Sequence, residues 1–202
     1  MMADMPTTHL LYLHGFRSSP RSAKARQMHA YVQAHVPGLA WCCPQLPPSP
    51  RAAMELVARL TAGWPLAEPG RLAVAGSSLG GFYASWAAQR LGCKSVLINP
   101  AVNPARDLEK YIGELSAWHD PGERFFFRPE FIPELQALEC PGQPAPAQVL
   151  AIIAKGDEVL DWREMQQRYP GARIRLLEGG DHALSDFDTA HIDTVFDFLQ
   201  LA

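Results

Sequence analysis

Short, nearly continuous apolar runs alternate along the chain with longer segments in which apolar residues recur at helical spacing. Continuous apolar runs are typical of strands in a parallel sheet, because such strands are covered on both faces. The pattern predicts six strands, at residues 9–13, 39–43, 71–75, 95–98, 149–154 and 173–177. It predicts helices at residues 20–35, 51–62, 79–91, 162–169 and 187–201. Strands separated by helices indicate an α/β fold with a mainly parallel sheet of about six strands.

Two serine–proline pairs suggest where the first two helices begin. Ser19-Pro20 and Ser49-Pro50 each offer a hydroxyl that can cap a helix, followed by a residue whose fixed φ suits the first helical position. We therefore expect both helices to start at these pairs.

One segment breaks the alternation of strands and helices. Residues 104–146 separate the fourth and fifth predicted strands, and this segment is too long for an ordinary connection. It contains several prolines and six aromatic residues, which are Tyr111, Trp118, Phe125, Phe126, Phe127 and Phe131. We predict a short helical cap over one end of the sheet, within a single domain that comprises residues 1–202. The aromatic residues fit a packed core and a wall for an apolar substrate group equally well.

The strongest chemical signal is the G-x-S-x-G sequence at residues 76–80, in which the serine is Ser78. It lies between a predicted strand and a predicted helix, a context typical of a nucleophile elbow, in which a tight turn exposes the serine hydroxyl above the sheet. Glycines are needed there because a β-carbon would collide with neighbouring backbone. Ser78 is therefore the candidate nucleophile.

A serine hydroxyl needs a base, because it is barely ionised at neutral pH. His182 lies between the last predicted strand and the last predicted helix, at an edge of the sheet where α/β folds place functional loops. The expected chain order of nucleophile, acid and histidine also favours His182. His29, His35 and His191 fall on or near predicted helices and are interpreted as structural, and His14 as a support for its own loop.

The candidate acid is Asp157, the first carboxylate after the predicted strand at residues 149–154. Its role would be to orient the histidine ring. Glu158 and Asp161 remain alternatives, because they follow the same strand. Asp181 is adjacent to His182 in sequence, and adjacent side chains rarely face each other, so we interpret it as a turn residue.

Two backbone N–H groups are candidates for stabilising an oxyanion. One belongs to Leu79, which follows Ser78, and the other to Phe16, in the loop after the first strand. Gly15 would let the backbone of this loop approach a substrate. Arg17 would lie at the rim of the cleft, either as a guide for an anionic substrate or as a solvated loop residue. Gly15 and Arg17 are therefore candidate substrate-binding residues.

Composition and charge exclude several other classes of protein. The chain has 48% hydrophobic and 19% charged residues, an ordinary globular composition. Its net charge of −3 lacks the excess of positive charge that binding to the phosphates of nucleic acid requires. No stretch reaches the roughly 18 apolar residues of a membrane span, and the first residues have no signal-peptide pattern. The cysteines have the spacing of neither a disulfide framework nor a metal site, so we expect reduced thiols and a cytoplasmic protein; they are Cys42, Cys43, Cys93 and Cys140.

The sequence lacks the motifs that bind common cofactors. No lysine follows the glycines at residues 76–81, which argues against a phosphate-binding P-loop, and the dinucleotide sequence G-x-G-x-x-G is absent. The histidines also lack the spacing of metal ligands. We therefore expect neither a cofactor nor a metal.

Together these residues resemble the α/β-hydrolase superfamily and, more closely, the small YqiA-like bacterial esterases. The matching stretches are spread over almost the whole chain, and they are LLYLHGFRSSPRSAKA, GSSLGGFYASWAA, LINPAVNP, GDEVLDW and GGDHALSDF. The resemblance implies a compact three-layer esterase without a cofactor. It also implies Ser78, Asp157 and His182 as catalytic residues and Phe16 and Leu79 as oxyanion donors.

The expected reaction is hydrolysis of a small-molecule carboxylic (acyl) ester through an acyl-enzyme intermediate. A thioesterase that uses the same residues, for example on acyl-CoA, is the main alternative. A non-catalytic binding protein with a hydrolase fold is a weaker alternative, because such proteins usually lose one of the three reactive residues.

Overall fold

A computed structural model describes residues 6–68, 70–118, 120, 122–139 and 145–201 of the chain. Its strands are β1 (His9–Leu13), β2 (Ala40–Cys42), β3 (Leu72–Ser77), β4 (Lys94–Ile98), β5 (Gly113–Ser116), β6 (Arg124–Phe127), β7 (Val149–Ala154) and β8 (Arg173–Leu177). Its helices are α1 (Ala23–His35), α2 (Pro50–Thr61), α3 (Leu79–Leu91), α4 (Pro104–Leu108), α5 (Phe131–Ala137), α6 (Trp162–Arg168), α7 (Phe187–Ala190) and α8 (Ile192–Leu199). Short 3₁₀ helices follow α4 at Glu109–Tyr111 and precede β7 at Pro146–Gln148.

Six strands form one parallel sheet in the order β2-β1-β3-β4-β7-β8. This confirms the predicted α/β fold with a six-stranded sheet. The strands β1, β7 and β8 coincide with the predicted ones. Strand β3 continues further than predicted, through Gly76 to Ser77, so part of the G-x-S-x-G sequence belongs to the sheet.

Helices cover both faces of this sheet and give the fold three layers. On β1, Leu11 and Leu13 belong to a core shared with α2, α3, α5 and α6. Their neighbours Leu10 and Tyr12 belong to a second core, shared with α1, α7 and α8. Burial on both faces explains why the strands are continuous apolar runs rather than alternations.

The predicted start of the first helix is wrong, whereas that of the second is confirmed. Ser49 caps α2 by accepting a hydrogen bond from the N–H of Ala52 at 3.1 Å. The Ser19 hydroxyl instead accepts from the N–H of Arg21 at 3.1 Å, and α1 begins only at Ala23. The N–H of Ser22 also donates to the Ser19 carbonyl at 3.0 Å, so Ser19-Pro20 forms a turn before the helix.

The last predicted helix, at residues 187–201, is two helices that meet at His191. The backbone of His191 leaves the helical region, with φ −130°. Its imidazole is buried and lies 3.4 Å from the carboxylate of Asp186 (Nε2 to Oδ1). Burial lowers the pKa of His191 below its usual value. His191 is therefore a buried residue at the junction of α7 and α8. Its burial agrees with the predicted structural role, but the residue does not lie inside a helix as the sequence pattern suggested.

The segment between β4 and β7 differs from the predicted helical cap, because it also contains an antiparallel hairpin, β5–β6. Its aromatic residues divide between the packed core and the surface. Phe127 and Phe131 are buried and pack together with ring centroids 5.4 Å apart. Trp118 and Phe126 are 70% and 55% exposed.

Two carboxylates fasten this segment to the helices of the main fold. Glu134 in α5 accepts hydrogen bonds at the start of α2, from the Ser49 hydroxyl at 2.6 Å and from the Arg51 guanidinium at 2.6 Å. Glu164 in α6 binds the guanidinium of Arg106 through both oxygens, each at 2.8 Å. Burial by itself would raise the pKa of Glu134, but the hydrogen bonds from Ser49 and Arg51 outweigh it and lower the pKa.

No helix within the described residues is long and apolar enough to cross a bilayer. Cys42, Cys43 and Cys93 are free thiols. Cys140, which is also expected to be reduced, lies outside the described residues.

We predict that Glu134→Gln lowers the free energy of unfolding by about 1–2 kcal/mol at pH 7, because charged hydrogen bonds to α2 are lost. The folded-state pKa of Glu134 is lowered from 4.5. Its contribution is therefore present above pH 4.5 and disappears as the pH falls through the lower folded-state value. Urea unfolding at pH 7 and pH 3 tests this.

The matched control is Glu130→Gln, at an exposed position just before α5. Its effect should remain within about 0.5 kcal/mol at both pH values. A loss for Glu134→Gln that is equal at pH 7 and pH 3 would contradict the assigned role.

Candidate active site

The turn at Ser78 joins the end of β3 to the start of α3. Ser78 has φ 56° and ψ −125°, a conformation that residues other than glycine rarely adopt. A β-carbon on Gly76 would lie 2.1 Å from the carbonyl oxygen of Gly80, and one on Gly80 would lie 1.9 Å from that of Leu13. Gly76 therefore allows the start of α3 to fold back closely on the end of β3, and Gly80 allows α3 to pack directly against the end of β1.

Three side chains from separate loops meet at this turn. Nε2 of His182 lies 3.0 Å from Oγ of Ser78, and Nδ1 of His182 lies 2.8 Å from Oδ2 of Asp157. The Asp157 side chain is fully buried, and the His182 side chain is 20% exposed. A carboxylate that accepts from Nδ1–H favours the tautomer in which Nε2 can accept the serine proton.

The carboxylates near this site have distinct partners. The second oxygen of Asp157, Oδ1, accepts from the N–H groups of Val159 and Leu160, each at 2.8 Å. Glu158 accepts a hydrogen bond from the backbone N–H of His182 at 2.9 Å. This bond involves the backbone of His182 and not its imidazole ring.

The other two carboxylates serve local structure. Asp161 caps α6 by accepting from the N–H of Arg163 at 2.8 Å. Asp181 accepts from the N–H and the hydroxyl of Ser185, at 2.9 and 2.6 Å, which matches its interpretation as a turn residue. Of the carboxylates that the sequence left open, Asp157 is the one that bonds the ring of His182.

The loop after β1 lies against Ser78. A β-carbon on Gly15 would lie 3.8 Å from Oγ of Ser78. Among the described residues, the N–H groups of Phe16 and Leu79 donate no backbone hydrogen bond, so both remain available to a ligand. His14 supports this loop, because its Nε2 accepts from the N–H of Leu46 at 3.0 Å and its Nδ1 donates to the carbonyl oxygen of Gly15 at 3.0 Å.

Arg17 joins the same loop to the β5–β6 hairpin. Its Nε donates to the carbonyl oxygen of Ser116 at 2.7 Å, and its guanidinium stacks on Trp118 with Cζ 4.0 Å from the ring centroid. The N–H of Trp118 donates back to the carbonyl oxygen of Arg17 at 2.8 Å. Phe16 adds a ring contact to Phe127 of the hairpin, with centroids 5.2 Å apart. Arg17 lines the site, but its guanidinium is held by the hairpin.

A cavity of about 480 Å³ opens beside Ser78 and His182. Apolar side chains form much of its wall, and they include Leu108, Tyr111, Trp118, Val159 and Leu160. Trp118 and Val159 are large apolar residues that remain exposed to solvent. The cavity can therefore take an apolar group next to the serine hydroxyl.

Lys24 of α1 adds a positive charge behind the His182 loop. Its ammonium group donates to the carbonyl oxygen of Ala183. Burial lowers the pKa of Lys24 to about 8, although the carboxylates of Asp181 and Asp157 act in the opposite direction. The bond from Lys24 thus stabilises the backbone of the loop and does not involve the imidazole of His182.

The described residues contain no group of three or more His, Cys, Asp or Glu side chains that could hold a metal ion.

One polar residue at the site was not predicted from the sequence. Asn99 directly follows β4, and its amide donates to the carbonyl oxygens of Asp181 and His182. The signal was available, because a polar residue at the carboxyl end of a parallel strand lies on the functional edge of the sheet.

Comparison with known proteins identifies both a family and a fold. A family model described as Uncharacterised protein family (UPF0227) matches residues 9–200. Among solved structures, alpha/beta hydrolase domain-containing protein 10 from mouse is 19% identical, with a TM-score of 0.70, and the alignment covers 96% of this chain and 90% of that chain.

Two further structures are similar. Est1E from Butyrivibrio proteoclasticus, solved with ferulic acid bound, is 13% identical with a TM-score of 0.66, over 96% of this chain and 87% of that chain. A pyrethroid hydrolase from Sphingobium faniae JZ-2 is 19% identical with a TM-score of 0.65, over 96% and 97% of the two chains. At these identities the likeness shows the α/β-hydrolase fold.

The packing of the turn generates a prediction about stability. Gly80→Ala should lower the free energy of unfolding by at least about 1–3 kcal/mol, because the new β-carbon forces backbone apart. Gly63→Ala is the control, since a β-carbon there meets nothing within 4 Å, and its effect should stay below about 1 kcal/mol. Urea unfolding measures both. Equal effects would show that α3 does not pack against β1 as described.

Proposed function

The chain belongs to the uncharacterised protein family UPF0227, and we propose that it is a serine hydrolase that cleaves carboxylic esters. The observation that carries this proposal is the continuous chain of hydrogen bonds from Ser78 through His182 to Asp157, at 3.0 and 2.8 Å. A nucleophile, a base and a group that orients the base are what covalent acyl transfer requires.

The reaction begins when Nε2 of His182 removes the proton from the Ser78 hydroxyl as the oxygen attacks the ester carbonyl. Asp157 holds the imidazole ring and stabilises its protonated form. His182 then gives the proton to the leaving alcohol, and the acyl group remains on Ser78. Water, activated by the same histidine, attacks the acyl-enzyme and releases the acid.

The N–H groups of Phe16 and Leu79 are the proposed donors to the oxyanion. Both lie next to Ser78 and lack backbone acceptors among the described residues. The start of α3 adds the positive end of its dipole, which also favours the developing negative charge. The rings around Phe16 hold its loop against the hairpin, so the donor is positioned before substrate arrives.

The proposed substrate is a small ester with an apolar group that enters the cavity beside Ser78. The apolar wall formed by Leu108, Tyr111 and Leu160 supports this choice. Est1E was solved with ferulic acid bound and another similar structure is a pyrethroid hydrolase, which supports the proposal of a hydrolase that accepts apolar ligands. Matched oxygen esters and acyl-CoA thioesters separate an esterase from a thioesterase on the same residues.

Loss of the serine hydroxyl provides the first test of this function. Ser78→Ala should fold normally and lose about three or more orders of magnitude in kcat on p-nitrophenyl esters, because no nucleophile remains. A fluorophosphonate probe should label the wild-type protein and not the variant.

The control is Ser77→Ala, which removes the same atom from the adjacent residue, at the end of β3. It should keep kcat within about threefold of the wild type and should still be labelled. Hydrolysis or labelling that survives Ser78→Ala would assign the chemistry to another residue.

Exchange of the buried acid for its amide provides the second test. Asp157→Asn should lower kcat by about 10³- to 10⁴-fold, because an amide donor facing Nδ1 favours the tautomer that cannot accept the serine proton. Asp161→Asn should remain within about threefold of the wild type, since asparagine also caps a helix. Steady-state kinetics on one ester compares the two variants. A larger loss for Asp161→Asn would contradict the assignment of the acid.

A further inference from the structure

Asn99 directly follows β4 and is completely buried. Its Nδ2 donates to the carbonyl oxygens of Asp181 at 3.1 Å and His182 at 3.2 Å, and its Oδ1 accepts from the N–H of Ala154 at 2.8 Å. A side-chain amide has two donor hydrogens and one acceptor oxygen, so each of these groups has a partner here. The side chain therefore joins the end of β7 to the backbone of the loop that carries His182.

The backbone on either side of Asn99 holds Ser78. The N–H of Ser78 donates to the carbonyl oxygen of Ile98 at 3.0 Å, and the carbonyl oxygen of Ser78 accepts from the N–H of Ala101 at 3.0 Å. The N–H of Asn99 itself donates to the carbonyl oxygen of Ile152 at 2.9 Å. Residues 98–101 thus contact the backbone of Ser78 and, through one amide, the backbone of His182.

We propose that Asn99 is a positioning residue that sets the distance between the Ser78 hydroxyl and the His182 imidazole. The inference rests on the proposed function, because it concerns the proton transfer between these two groups. Asn99 is completely buried and acts through the His182 loop rather than by contact with substrate. Small displacements matter at such a site, since a shift of about 1 Å can lower a rate about 10²-fold.

Two charged side chains also bond the backbone of this loop. Glu158 accepts from the N–H of His182, and the ammonium group of Lys24 donates to the carbonyl oxygen of Ala183. Glu158 is exposed and Lys24 is partly buried, so their bonds are less shielded from water than those of the completely buried Asn99. Water cannot reach Asn99 in the same way. Removal of its amide would take the side-chain donor from the carbonyl oxygen of His182 and would leave that of Asp181 with the N–H of Leu184 alone, at 3.0 Å, which favours a displaced loop.

The backbone at this position explains why asparagine suits it. Asn99 has φ 39°, in the left-handed region that asparagine, aspartate and glycine tolerate best. Aspartate and glycine therefore serve as substitutions that keep the backbone conformation. Asn99→Gly removes all three side-chain bonds. Asn99→Asp keeps the shape, and only its protonated form can donate to one of the two carbonyl oxygens.

The experiment measures kcat and KM on p-nitrophenyl butyrate from pH 5 to pH 8 for wild type, Asn99→Asp and Asn99→Gly. For both Asn99→Asp and Asn99→Gly, we expect kcat at pH 7.5 to be about 10- to 100-fold below that of the wild type, with KM within about threefold of the wild-type value. For Asn99→Asp, the ratio of its kcat to that of the wild type should fall as the pH rises. The cause is ionisation of the introduced carboxyl, which then repels the two carbonyl oxygens.

Asn103→Asp is the matched control, because it makes the same chemical change four residues later in the chain. The amide of Asn103 donates to Glu164 at 3.2 Å, and Asn103 has no such bond to the His182 loop. Its kcat should stay within about threefold of the wild type at every pH. Thermal melting of each variant establishes that the folded protein is being assayed.

The possible results separate this inference from the proposed function. If wild-type turnover does not depend on Ser78, the proposed function fails and the inference fails with it. If turnover depends on Ser78 but Asn99→Asp and Asn99→Gly match Asn103→Asp, only the inference is overturned. Loss of the folded state in both Asn99 variants would assign Asn99 to fold stability and would also overturn it.

Discussion

The parallel arrangement of the central strands is the constraint on which the rest of the structure depends. Strands β3, β4 and β7 are adjacent and in register, with Ser77 opposite Ile98 and Ile98 opposite Ile152. Their carboxyl ends therefore meet at one edge of the sheet, and Ser78, Asn99 and Asp157 all follow these ends. The loop after β8 adds His182 from the neighbouring strand. Residues far apart in sequence thus converge because the strands run in one direction.

Much of the sheet was predictable, because both of its faces are covered and its strands are therefore continuous apolar runs. Local signals were less reliable where tertiary contacts compete with them. Ser19-Pro20 has the pattern of a helix start, yet the Ser19 hydroxyl bonds to Arg21 in a turn. The β5–β6 hairpin was missed because its second strand, RFFF, has no alternation of apolar and polar residues that indicates a half-buried strand.

The candidate site was predictable as a set of residues but not in how its carboxylates divide their tasks. Asp157, Glu158 and Asp161 all follow β7, and their order in the chain favours Asp157 but leaves the other two as alternatives. In the fold, Asp157 bonds the imidazole, Glu158 bonds the backbone of His182 and Asp161 caps α6. For Asn99 the sequence indicates only that a polar residue follows a strand of the parallel sheet. Its three bonds depend on loops that lie more than fifty residues away in sequence, which no local pattern reveals.

The proposed role of Ser78 is to carry the acyl group during turnover, and the mass of the trapped intermediate tests this role. The wild-type protein would be mixed with an aryl ester that deacylates slowly, quenched in acid and digested. We expect a burst of the aryl alcohol and a peptide that contains Ser78 with the mass of one acyl group added. Steady turnover with no acylated peptide, or an acyl group on any other residue, would contradict it.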